Sequence, residues 1–273
     1  MRPEDVINVE SYPIADPDSP ALARLIAQLS KDLADNQYCS LSGFIRPQAL
    51  ERAVADARAA RSQAHDNNAR RNCYLHREGD PALPADHPRN IMNDTSTRMI
   101  AYDLLPQDSP LKTLYHWDAT RQFIAAIVGE DELYDNADPF QPVNVLCAEK
   151  GDQSAWHFDS GNAFTMTLML QVPGAGGEFE LVPNTRSDTD ENYDYVHDVL
   201  TGKRIDDAVG VAREPGSLCI FRGCNSLHRV TRVESDPMRI MAVFVYERQP
   251  GVIGDPRVNA NIYGPRACGQ LRL

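Results

Sequence analysis

The spacing of apolar positions changes period near the middle of the chain. Before residue 130 the apolar residues recur at helical intervals. Leu22, Leu25, Ile26, Leu29 and Leu33 form one stripe, with Ser19 placed as an N-cap and Pro20 at the first helical position. The spacing predicts a helix ending near Asn36. Pro47 opens a second helix, running to about Ser62 with Leu50, Val54 and Ala57 inward. Ser109-Pro110 opens a third with Leu111, Leu114 and Tyr115, and Phe123, Ile124 and Ile127 make a further stripe that stops at Gly129. Short strands are expected over Tyr38 to Ile45 and Thr97 to Leu105. Between them, 65–93 is rich in Asn, Arg, Asp and Pro and reads as a long irregular segment, a kind often functional in compact domains.

After Pro142 the period falls to two. Val143, Val145 and Cys147 alternate with Asn144, Leu146 and Ala148, and further β-prone runs cover 163–172, 178–182, 218–222, 228–230 and 238–247. Gly/Pro turns separate them, among them Glu214-Pro215-Gly216-Ser217. Many short strands joined by turns suggest a sandwich or jelly roll, so the fold class expected is α+β with a mainly β core and N-terminal helices packed on one sheet. One domain spans 1–273. It comprises a loosely attached arm (1–18), a helical support region (19–130) and a jelly-roll core (140–248). The core carries an acidic, lid-like insertion (183–213), with a short helix near Asp190 to Leu200. The tail from Gln249 reads as extended.

Composition adds exclusions. With 42% hydrophobic and 24% charged residues the chain is an ordinary globular one, and its net charge of −12 argues against nucleic acid or an anionic membrane as partner. The first residues carry no apolar secretory segment, and no run is long enough to span a bilayer. The six cysteines contain no Cys-x-x-Cys pair and read as free thiols of a cytoplasmic protein.

The stretch Trp156-His157-Phe158-Asp159 carries the chemistry. At a strand end His157 and Asp159 point the same way, and His228 farther along the chain can complete a set of two histidines and one carboxylate. That set binds Fe(II) on one face and leaves the other open. Arg239 opens the last long strand, where an unpaired charge is expensive, so an anionic partner is expected. A dicarboxylate co-substrate fits, chelating the metal through a keto-acid end and meeting Arg239 with its far carboxylate, with O2 in the remaining position. Blander readings stand beside this one. His157 can be a core histidine, Asp159 a turn cap, His228 a loop residue, and Arg239 a partner of Glu234 or Asp236.

Six blocks in order, Trp156-His-Phe-Asp159, Gly177-Glu-Phe-Glu180, Pro215-Gly-Ser-Leu218, Phe221-Arg-Gly223, Leu227-His-Arg-Val-Thr231 and Arg239-Ile-Met-Ala-Val243, resemble the Fe(II)/2-oxoglutarate-dependent oxygenases. The closer resemblance is to the branch holding the free-amino-acid radical halogenases and their hydroxylase relatives. It runs over about 35–265 and is strongest from 142 to 247. It implies a double-stranded β-helix core. It also implies Fe(II) held by His157, Asp159 and His228, 2-oxoglutarate held by Arg239, and O2. The halogenases of that branch have a small residue in place of the carboxylate ligand, which leaves room for chloride. Asp159 stands there in this chain, so the resemblance implies hydroxylation of an unactivated C–H, with release of succinate and CO2. Desaturation or cyclisation, and a carrier-tethered substrate, are the alternatives within the class. A non-catalytic metal-containing jelly-roll binding protein is the alternative outside it.

For the substrate, a free amino acid or similar small polar metabolite, the candidate contacts are Asn144, Trp156, Ser160 and Arg98, with Arg89 as second choice for its carboxylate. A homodimer is compatible with the sequence.

Overall fold

The computed structural model describes residues 1–159 and 164–272. Helices α1 (Pro3–Val6), α2 (Pro20–Asn36), α3 (Pro47–Ala60), α4 (Pro110–Tyr115) and α5 (Asp118–Val128) occupy the first half, together with strands β1 (Tyr38–Leu41), β2 (His65–Arg71) and β3 (Asn93–Ile100). Four of these helices carry proline in the first turn, where its missing N–H costs nothing, and α5 ends on Gly129 at φ 79°. The second half contains β4 (Tyr134–Asp135), β5 (Val143–Ala148), β6 (Ser154–His157), β7 (Thr165–Gln171) and β8 (Phe179–Val182). It continues through α6 (Tyr193–Leu200), β9 (Val209–Val211), β10 (Leu218–Phe221), β11 (Leu227–Val230), β12 (Arg239–Phe244), β13 (Tyr246–Glu247) and α7 (Pro256–Tyr263).

All strand pairings are antiparallel. The large sheet runs β1-β10-β7-β12-β5-β3-β2 and the small sheet β6-β11-β8-β9. Helices α2 to α5 cover one face of the large sheet. Leu33, Phe44, Ala53, Leu114 and Ile124 pack there with Val145, Leu168, Ile220 and Ala242 in one buried cluster. Each fully buried leucine or isoleucine contributes about 1.5–3 kcal/mol through area removed from water. A second cluster, Trp156, Phe158, Val182 and Leu227 with Val196 and Val199, seats α6 on the outer face of the small sheet. Between the sheets lies a third, with Phe179, Leu181, Cys219 and Phe221.

The fold corrects four expectations. The arm 1–18 is not loose: Val6, Ile7, Tyr12 and Ile14 are buried, and Ile7 bridges Ile45. The segment 65–93 is not irregular throughout: His65–Arg71 is strand β2, hidden by its polar sequence, and it joins β1 and β3, which lie at or beside the expected strands, in widening the large sheet. The insertion 183–213 ends in β9, an edge of the small sheet, after a helix that starts at Tyr193. The tail is helical over Pro256–Tyr263, capped by the Asp255 carboxylate accepting from the Arg257 amide. The cysteines form no disulfide, and Cys39, Cys73, Cys147 and Cys219 are buried. Among the described residues no helix is long and apolar enough to cross a membrane.

Candidate metal centre

His157 ends β6 and faces His228 of β11 directly across the antiparallel ladder. Between this pair and the next one, Ser154 opposite Val230, β6 has one residue more than β11. Such a bulge re-aims side chains. Ser154 and His157 both reach the cavity between the sheets, while Trp156 turns to the outer cluster. Two residues on, Asp159 is anchored through its backbone N–H, which donates to the Gly223 carbonyl at 3.0 Å.

Ligand atoms of His157, Asp159 and His228 lie within 4.8 Å of one another. Asp159 Oδ1 is 3.8 Å from His157 Nε2 and 3.5 Å from His228 Nε2. The Nδ1 atoms lie 2.8 Å from the Ala155 carbonyl oxygen and 3.0 Å from that of Ser226. An Nδ1–H donating there fixes the tautomer and leaves both Nε2 lone pairs for a metal. Burial, with His228 next to it, holds the His157 imidazole down to about 4, so it is neutral and ready to ligate at pH 7. Burial alone would raise Asp159, but the two histidines and the Thr165 hydroxyl, which donates to Oδ2, outweigh it and hold the carboxyl below the usual carboxylate range. Two imidazoles with Nε2 turned to one side and a carboxylate beside them are the donor set a facial Fe(II) site requires, so the residues present fit that metal.

Gly223 makes room for the carboxylate. A Cβ there would sit 2.1 Å from Asp159 Oδ2 and 2.8 Å from its Cγ. Gly223→Ala is therefore expected to push the carboxylate off position and weaken Fe(II) binding by about tenfold or more, in the range typical of lost outer support. Gly210→Ala, where a Cβ meets nothing within 4 Å, is the control. Anaerobic Fe(II) titration of both variants measures the difference, and equal affinities would refute the role given to Gly223.

A cavity of about 290 Å³ opens from the triad between the sheets. Arg239 lies in its wall, 3% exposed; its Nε donates to the Gly177 carbonyl at 3.1 Å and its Nη2 lies 3.5 Å from Met241 Sδ. No carboxylate among the described residues pairs with it, Glu234 and Asp236 included. Asn144 also lines the cavity, with its amide tied to the Gln141 carbonyl and the Tyr263 hydroxyl.

The other substrate candidates fall elsewhere. Trp156 packs under α6, with the Arg229 guanidinium 4.6 Å from its ring. Arg98 is outside the cavity lining and its guanidinium pairs with Asp66 and Asp152, so its charge is already met. Arg89 lies against the rings of Tyr74 and Tyr193, beside a smaller cleft that reaches Asp159. Ser160 lies outside the described residues. Sequence reasoning did not single out Arg213, Thr165 or Gly223. Nor did it distinguish Arg71 from the other arginines of the polar segment 65–93. Alternation along β2 places Arg71 on the side of Asn67, whose Oδ1 accepts from Arg71 Nη2 at 3.0 Å, and both line the cavity.

The halogenase D family profile matches residues 22–252, and the chain belongs to that family. No curated protein sequence matches it. Among solved structures the fold is similar to a 2OG-Fe(II) oxygenase family oxidoreductase from Burkholderia pseudomallei (16% identity, 83% of this chain and 92% of that one, TM-score 0.51). It is also similar to a prolyl hydroxylase from Trichoplax adhaerens solved with a hypoxia inducible factor peptide (14%, 83% and 90%, 0.53). A third is SnoN, a non-heme alpha ketoglutarate dependent epimerase from nogalamycin biosynthesis (16%, 82% and 81%, 0.55).

Proposed function

We propose that the protein is an Fe(II)- and 2-oxoglutarate-dependent dioxygenase that hydroxylates an unactivated C–H of a free amino acid or similar small polar metabolite. The two sheets are then those of a double-stranded β-helix, with β5, β7, β10 and β12 at the centre of one and β6, β8, β9 and β11 forming the other. The observation that carries the reading is Asp159. Its carboxylate is ionised, held by Thr165, fitted against Gly223 and aimed at both imidazoles. A centre built around that carboxylate has no room for a chloride ligand, which favours hydroxylation over halogenation in spite of the family's name.

His157, Asp159 and His228 hold the iron and Arg239 the far carboxylate of 2-oxoglutarate. When bound, iron, 2-oxoglutarate and O2 supply the C–H oxidation, with succinate and CO2 released. The protein's own part is to fix the donors through the Ala155 and Ser226 carbonyls and to exclude water with apolar walls such as Phe179, Phe221 and Met241. Arg71 takes the substrate carboxylate in this reading. Its Nε is buried and unpartnered among the described residues, and it faces the cavity with no acid beside it. The segment with α6 serves as a lid, and the protein acts in the cytoplasm.

Anaerobic addition of Fe(II) and then 2-oxoglutarate is expected to give a metal-to-ligand charge-transfer band that His228→Ala lacks. An amino-acid panel scored by succinate release then identifies the substrate. No band in the wild type would overturn the assignment.

A further inference from the structure

Arg213 follows β9 and reaches the cavity wall that Arg239 occupies. Its Nη1 donates to the Thr167 hydroxyl at 2.7 Å and lies 3.8 Å from Met241 Sδ, the sulfur that Arg239 Nη2 also approaches. Its guanidinium lies 4.5 Å from the centre of the Phe179 ring. Nε and Nη2 are closed off from solvent, and among the described residues they have no hydrogen-bond partner and Arg213 has no ion pair. Two cations thus converge on one thioether with no anion between them. Burial weakens the proton affinity of both, and Arg213 adds to the effect on Arg239.

A fold has no reason of stability to keep this pair. An unpaired buried charge costs several kcal/mol, and an apolar side chain on Phe179 would fill the space without that penalty. A carboxylate reverses the balance, because its two oxygens offer about four acceptor positions, enough for one guanidinium fork and N–H groups of a second.

We infer that Arg213 is a second arginine of the co-substrate pocket, so that the far carboxylate of a dicarboxylic 2-oxo acid is held between Arg213 and Arg239. This rests on the 2-oxoglutarate reading above. It assigns Arg213 a positioning and selectivity role. The pocket takes a 2-oxo acid bearing a second carboxylate and rejects one without it, and the empty pocket is strained by like charge until the dianion arrives.

The test is binding and melting of the Fe(II)-loaded protein without O2, using 2-oxoglutarate and 2-oxobutyrate, which lacks the second carboxylate. In the wild type, 2-oxoglutarate binds and raises the melting temperature, and 2-oxobutyrate does neither. Arg213→Gln melts higher than wild type without ligand, weakens 2-oxoglutarate at least about tenfold, and loses most of its preference over 2-oxobutyrate. Arg213→Lys, which keeps the charge without the fork, falls between. Arg213→Gln that binds 2-oxoglutarate like wild type while Arg239→Met does not would overturn this inference alone. A lower ligand-free melting temperature with unchanged binding would make Arg213 a packing residue and overturn it too. Failure of the wild type to bind 2-oxoglutarate at all would remove the underlying reading as well.

Discussion

Asp159→Gly is expected to abolish the proposed hydroxylation while leaving the protein folded. Asp159 follows β6 and is not part of a strand ladder, so the backbone loses no pairing; its N–H still reaches the Gly223 carbonyl. What disappears is one of three ligands and the negative charge that offsets the metal. Loss of an outer partner of a ligand typically costs about 10- to 100-fold in affinity or activity, and loss of the ligand itself exceeds that. The Thr165 hydroxyl and the space at Gly223 are then free to accept an exogenous anion. Assays with chloride present therefore test whether a halogenated product replaces the hydroxylated one. Mass spectrometry of the product and anaerobic Fe(II) titration read the two effects. Hydroxylation retained at the wild-type rate would show that Asp159 is not a ligand.

Arg239→Met is expected to raise the KM for 2-oxoglutarate with a much smaller change in kcat at saturation. Truncating one partner of a buried, hydrogen-bonded charge pair costs about 2–5 kcal/mol, or about 30- to 3000-fold in binding. The loss is expected to fall on co-substrate binding because, in the proposed assignment, Arg239 holds the end of the molecule remote from the metal donors. Gly177 permits this placement: a Cβ there would meet Arg239 Cδ at 3.1 Å, in a backbone at φ 71° that glycine adopts without strain. Steady-state kinetics with 2-oxoglutarate varied at fixed iron and substrate measure the outcome. An unchanged KM would sink the assignment.

The helices and most of the strands were legible because their periods are strong. Pro20 to Asn36 and Val143 to Ala148 coincide with α2 and β5. β2 was not legible: His65–Arg71 is almost wholly polar, and only pairing with β3 and a place in the cavity wall make it a strand. The buried part of the arm was masked by its polar average. At the site, the His-x-Asp spacing and the later histidine foretold the cluster that the fold assembles, because metal donors are few and distinctive. Arginines are not distinctive. Arg98 and Arg71 look alike in the sequence, and only the acids around each separate them: Asp66 and Asp152 meet the first, while no acid among the described residues pairs with the second. Trp156 was misplaced for a different reason. Its position beside a ligand candidate suggested the cavity, but neighbouring strand residues point to opposite faces, so with His157 inward Trp156 turns outward.

The extra residue in β6 lets Ser154 and His157, three positions apart, both reach the cavity. With the bulge in place, the inward face carries the metal donor and the outward face the aromatic floor on which α6 rests. Removal of Ala155 would close the bulge into a regular ladder that keeps His157 opposite His228 and Ser154 opposite Val230. The bulge is thus spare length in this short strand: one deletion there would leave the candidate donors His157 and His228 facing each other.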